Sequence, residues 1–147
     1  MIKSIVVSLL LVVGVQSSFA AEDAAESMVA SKKKADMTYK QLMQIMGNAS
    51  TAMHEGIIQE NKQMVVEGVT FILTHPAPKH KPWDIMRDED KEGFKESLLS
   101  FDKTLDEQAI RVRDAATQDN WIEANKALSG LNELCIGCHS MWRGAVK

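Results

Sequence analysis

The residues with the most chemistry to offer stand together as Cys135-Ile136-Gly137-Cys138-His139. On a helix the two thiols lie about one turn apart, and Cys135 and His139 share a face. Thiols so spaced can add to the two vinyl groups of one porphyrin. The next residue can then turn its imidazole under the iron, for which neutral imidazole is a common ligand. In an exported chain the pattern Cys-x-x-Cys-His reads as a c-type haem attachment site. The expectation is therefore one covalent haem c, with Cys135 and Cys138 as thioethers and His139 as the proximal iron ligand. Three other readings use the same residues. A Cys135–Cys138 disulfide would strain a regular helix, because disulfide geometry is demanding. A zinc site wants about four ligands, and His54, His75 and His80 have no ligand-like spacing to the motif. A thioredoxin-like dithiol belongs in a βαβ context, and the chain has no convincing strands.

Export is itself legible. Lys3 is a short positive start, Ile5 to Val15 is an apolar run broken only by Ser8 and Gly14, and Ser18-Phe19-Ala20 offers small residues for cleavage. Residues 1–20 thus read as a signal peptide cut after Ala20, which directs the product to the periplasm. The run is short for a membrane span, and no Cys near the cut offers a lipid anchor, so no stable membrane anchor is expected. Residues 21–35 read as a flexible N-terminal lead in which Lys32-Lys33-Lys34 is a solvated patch.

Four segments with helical apolar spacing must position the motif. The first runs from about Asp36 to Ile58, with Tyr39, Leu42, Met46, Ala49, Met53 and Gly56 as its stripe. The second runs from about Lys62 to Thr74 behind an Asn61 N-cap, with Val65, Val69 and Ile72 inward. All three prolines fall in 75–82, which reads as a loop. The third helix spans about Asp88 to Thr117, striped by Phe94, Leu98, Phe101, Leu105, Ala109, Val112 and Ala116. Asn120 with Glu123 resembles a capping box opening the fourth, where Trp121, Ala124, Leu128, Leu131, Cys135, Cys138 and Trp142 alternate threes and fours. Short links within the first and last pairs favour an all-α, antiparallel four-helix bundle over 36–147, with the haem near the end of the last helix.

The run Cys135-Ile-Gly-Cys138-His139-Ser-Met-Trp142-Arg143 on the last of four helices resembles the class II cytochromes c, the family of cytochrome c prime and its low-spin relatives. Trp142 stands where that family usually has Tyr or Phe, and the Pro-rich loop with Trp83 departs from its usual sequence. The resemblance implies a first-helix residue over the open haem face. Low-spin members use Met, in a segment resembling Leu-Met with Gly four residues on; Leu42-Met43-Gln44-Ile45-Met46-Gly47 fits and points to Met43 as the distal iron ligand. By spacing alone Met43 is one of several, because Met37, Met46, Met53 and Met64 are near and a Met at helical spacing is usually core. Met46 is the reserve.

The chain carries 17 basic and 20 acidic residues, and this mildly acidic balance argues against nucleic acid as a partner. The resemblance implies a periplasmic one-electron carrier with a His/Met-ligated haem and transient redox-partner proteins. Its alternative is a five-coordinate, cytochrome c prime-like binder of nitric oxide or carbon monoxide. A third reading is a haem-free helical interaction module. The sequence alone sets no acid–base group beside the haem, so an enzyme is not expected. Arg143 could meet a haem propionate or the last helix carbonyls, Leu131 and Leu134 line haem or core, Trp121 and Trp142 serve packing, and His54, His75 and His80 lie on the surface. Some members of the family pair through their first two helices, and the apolar second helix here would allow a homodimer.

Overall fold

The computed structural model describes residues 16–147, and helix dominates them. Five α-helices follow in order: α1 (Gln16–Ser31), α2 (Tyr39–Ile58), α3 (Lys62–Thr74), α4 (Lys91–Thr117) and α5 (Trp121–Trp142). The all-α class holds. The expected signal peptide lies mostly outside the described residues, and its expected cut after Ala20 falls inside α1.

Residues 21–35 differ from the flexible lead expected of them. Most belong to α1, where Ala25 and Val29 are buried, and α1 packs on α4. Beyond it, β1 (Lys34–Ala35) pairs in parallel with β2 (Ala77–Pro78), so the Pro-rich segment is partly ordered as a strap. Ala77 N donates to Lys33 O at 2.9 Å. Trp83, expected in a loop, is 4% exposed within a 3₁₀ turn over Pro82–Ile85. Its indole faces the ammonium of the equally buried Lys95 at 5.3 Å, a contact that favours a cation over an aromatic face.

The helix starts have identifiable caps. Thr38 Oγ1 accepts from Gln41 N and Gln41 Oε1 accepts from Thr38 N, which begins α2 at Tyr39 rather than Asp36. Asn61 Oδ1 accepts from Met64 N, and Asn120 Oδ1 from Glu123 N, each at 3.2 Å. Asp88–Asp90 forms a 3₁₀ turn, so α4 proper starts at Lys91.

Two turns of matching chemistry, Gln59-Glu60-Asn61 and Gln118-Asp119-Asn120, join α2 to α3 and α4 to α5. In each the acidic residue is left-handed, with φ 53° at Glu60 and 59° at Asp119. Asn61 N donates to Gly56 O and Glu60 N to Ile57 O; Asn120 N donates to Ala115 O and Asp119 N to Ala116 O. These paired bonds satisfy carbonyls that a helix end would otherwise leave open. Lys62 Nζ reaches Asp119 Oδ2 at 2.8 Å and ties the two turns together. Between α2 and α3 the backbones come close. A Cβ added at Gly68 would lie 2.5 Å from Met53 Cγ and 3.0 Å from Ala49 O.

These features predict substitutions of opposite sign. Glu60→Gly removes a left-handed penalty from an exposed turn and should add about 0.5–1 kcal/mol. Gly68→Ala forces a methyl against a buried Met and a carbonyl and should cost about 1–3 kcal/mol. Thermal unfolding followed by far-ultraviolet circular dichroism should show the midpoint rising for the first and falling for the second.

Candidate functional site

The apolar interior is divided. One core, of Met53, Val65, Val69, Ile72, Ala109, Val112, Ala116, Ala124, Leu128 and Leu131 with their neighbours, joins α2, α3, α4 and α5 near the two tight turns. A second, of Ala25, Val29, Ala77, Trp83, Met86, Phe94 and Ala145, joins α1, the strap, the start of α4 and the tail after α5. Two apolar clefts open beside these cores. The stripes of α4 and α5 pass from fully buried residues to half-buried ones there: Leu98, Phe101 and Leu105 on α4, Leu134, Cys135 and Cys138 on α5.

The inner cleft, about 250 Å³, is bordered by those residues together with Met43, Met46 and Gly47 of α2 and by His139. The outer cleft, about 480 Å³, is bordered by Tyr39, Met43, Phe94, Cys138, His139, Trp142 and Arg143 among others. Tyr39, Met43, Cys138 and His139 border both, so the clefts meet along a line between α2 and α5. Backbone pairing of Met86 with Val146, and donation from Lys147 N to Ile85 O at 2.9 Å, bring the tail after α5 against the wall of the outer cleft.

Both cysteines are free thiols and half-buried. Burial pushes each thiol above its usual range, and the Cys135 thiol nearby adds to the effect at Cys138. His139 is exposed on the last turn of α5, and Met43 is half-buried on α2. Among the described residues, no group of three or more His, Cys, Asp or Glu side chains could hold a metal ion. Arg143 is exposed at the rim of the outer cleft. Tyr39, Phe94 and Trp142 form an aromatic file, with edge-on ring contacts at 6.5 and 5.6 Å. Trp142 Nε1 is buried without a hydrogen-bond acceptor. Burial, then the Cys138 and Asp102 charges, push the Tyr39 hydroxyl well above the usual phenol range, so it is a neutral hydrogen-bonding group.

A polar cluster in the wall of the inner cleft escaped the sequence reading. His75, expected on the surface, has only 12% of its side chain exposed, and Lys32, expected in a solvated patch, only 20%. Lys32 Nζ donates to His75 Nε2 at 2.8 Å and to Asp102 Oδ1 at 3.2 Å. The strap explains the meeting, because β1 and β2 carry Lys32 and His75 to the same edge of α4. Burial works to raise the Asp102 carboxyl, but His75 and Lys32 outweigh it and hold it below the usual range. One turn on, burial and the Asp102 charge push Asp106 the other way. The signal available in sequence was His75-Pro76, a polar residue at a helix end fixed by proline. His54 and His80 are exposed.

Cys135, Cys138, His139 and Met43 therefore all border the inner cleft, and all but Cys135 border the outer one. Met46 borders only the inner cleft, while Trp121 packs against the core near the turns. No described helix is long and apolar enough to cross a membrane. Compared with protein-family models, curated proteins and solved structures, the chain matches none.

Because Asp102 is held low by its partners, its contribution to stability is present above the unfolded carboxylate range and is lost as pH falls through its folded value. Asp102→Asn should cost about 1–3 kcal/mol at pH 7. Denaturant titrations at several pH values should show wild type and variant converging only as pH falls below the ordinary carboxylate range, once the wild-type carboxyl is itself protonated.

Proposed function

We propose that this chain is a c-type cytochrome that carries single electrons through one covalent haem. The observation that carries the reading is that Met43 and His139, from α2 and α5, border the inner cleft together with Cys135 and Cys138, and share the outer cleft with Cys138. Their combined hollow has the scale and apolar lining of small-molecule sites. The half-buried stripe residues of α4 and α5 offer the apolar surface that a porphyrin would cover.

In this reading the helices α2 to α5 act as an antiparallel four-helix bundle, which the two short turns and the α2–α3 and α4–α5 packing support. A bound haem supplies a one-electron iron couple. Cys135 and Cys138 hold it as thioethers, which keeps the cofactor on a small diffusing carrier. His139 would bind the iron through an imidazole nitrogen, and the Met43 thioether would be a second ligand, raising the reduction potential relative to a second His. Leu98, Phe101, Leu105 and Leu134 exclude water and lower the local dielectric. Arg143, exposed at the rim, is placed to neutralise a haem carboxylate. The chain would be exported to the periplasm and processed near Ala20, and would meet redox partners transiently, as a monomer or a homodimer. We assign it no catalytic step.

A haem stain should survive denaturing electrophoresis of protein matured in a host that builds thioether linkages, and Cys135→Ala with Cys138→Ala should abolish it. Optical spectra of the ferrous protein then test the distal ligand. Wild type should take up carbon monoxide slowly, whereas Met43→Ala should bind it at once. Rapid uptake by wild type, unchanged in Met43→Ala, would replace the carrier with a gas binder. A chain with no covalent haem would be the interaction module instead.

A further inference from the structure

The Lys32–His75–Asp102 cluster has no part in holding a haem, yet His75 and Asp102 border the inner cleft together with Met43, Cys135 and His139. Its geometry leaves room for a second setting beside the one observed. His75 Nδ1 lies 3.1 Å from Pro76 O, so Nδ1–H is the donor there. Nε2 is then the acceptor for Lys32 at 2.8 Å, and the ring is neutral. The same Nε2 also lies 3.9 Å from Asp102 Oδ1, too far for a hydrogen bond but close enough to form one after a small ring movement. A proton on Nε2 would expel the Lys32 ammonium and turn the ring toward that carboxylate. Lys32 would keep Asp102, now 3.2 Å away, as its partner.

We propose that His75 couples a proton to the electron carried at this site. On reduction, a one-electron donor gives its electron to the haem iron, ferric becomes ferrous, and His75 Nε2 takes one proton from water. On oxidation both leave. The inference rests on the haem reading above. Its physical basis is that negative charge arriving in a partly desolvated cleft is little screened, and it favours a nearby imidazolium over neutral imidazole. Imidazole is the side chain whose charge changes in the neutral range. The groups facing His75 are Lys32 from the segment after α1, Asp102 and Asp106 from α4, and, through Asp102, the Tyr39 hydroxyl from α2. Asp106 is the competing proton site, since burial and the Asp102 charge push its carboxyl above the usual range.

The test is the midpoint potential of the haem-loaded protein against pH, measured by optical titration with redox mediators. Wild type should show a segment between about pH 5 and 8 in which the potential falls with rising pH. The limiting slope is about 59 mV per pH unit for one proton per electron. His75→Gln should flatten that segment while leaving the visible spectrum of the ligated iron unchanged. Asp106→Asn should keep it. By reciprocity, the His75 ring resonance in wild type should titrate at a higher pH in the ferrous than in the ferric protein, a measurement that needs no variant. A flat wild-type potential overturns the proposal. So does a slope that survives His75→Gln, which would belong to the haem carboxylates, or one abolished by Asp106→Asn alone. A protein without covalent haem fails the haem reading instead, and the stain reports that separately.

Discussion

An apolar helical stripe has to be covered along its whole length, and here the packing of the chain on itself covers only part of it. Near the tight turns, α4 and α5 bring small residues, Ala109, Ala116, Ala124 and Ala127, against α2 and α3, and the core closes. Farther along, the same stripes carry Leu98, Phe101, Leu105, Leu134 and the two cysteines, and these are half-buried beside a recess. Large apolar side chains left half-covered within a cleft are costly in water and favour a ligand with a broad apolar face. The clefts, and the gathering of Met43, His139 and the two thiols at their borders, are consequences of that one incomplete closure.

The second core sets the far border of the recess. Phe94 and Trp142 pack edge-on where α4 begins and α5 ends, and Tyr39 joins them from α2. Trp83 and Met86 anchor the strap beneath, and Ala145 follows α5 into the same cluster. Because this border draws on segments far apart in sequence, the hollow is a tertiary feature rather than a property of any one helix pair. Polar atoms in the inner cleft are paired across elements too: Ser50 Oγ donates to Asn132 Oδ1 at 2.7 Å, joining α2 to α5. Such a wall is preorganised and loses little order when filled.

Much of this was legible in residues whose signal is local. The periodic stripes located α2 to α5 because burial repeats every three or four residues, and Asn61 and Asn120 marked helix starts because their side chains satisfy exposed amides. The Cys-x-x-Cys-His spacing pointed to the end of α5, and Met43 borders the inner cleft with it. What escaped was non-local. Val29 and Ala25 look unremarkable in sequence, and only docking on α4 makes them core. Three prolines signalled a loop, but proline is also allowed in an edge strand, which is how Pro78 is used. Lys32 and His75 stand far apart along the chain, and no periodicity links them. The repeated Gln-acid-Asn turn was visible in principle; it was hidden because glycine is the usual left-handed residue at a helix end, and Glu60 and Asp119 take that place.

The position of α1 ties the start of the folded chain to its chemistry. Processing at Ala20 would leave about three turns of that helix, a length that does not hold its shape alone in water. The shortened segment would stay helical only by lying on α4, through Ala25 and Val29. Lys32 follows immediately, so its grip on His75 inherits the fragility of that docking. Shortening of α1 would therefore be felt at a distance: trimming a few residues too many would unhook an ammonium from an imidazole at the edge of the inner cleft.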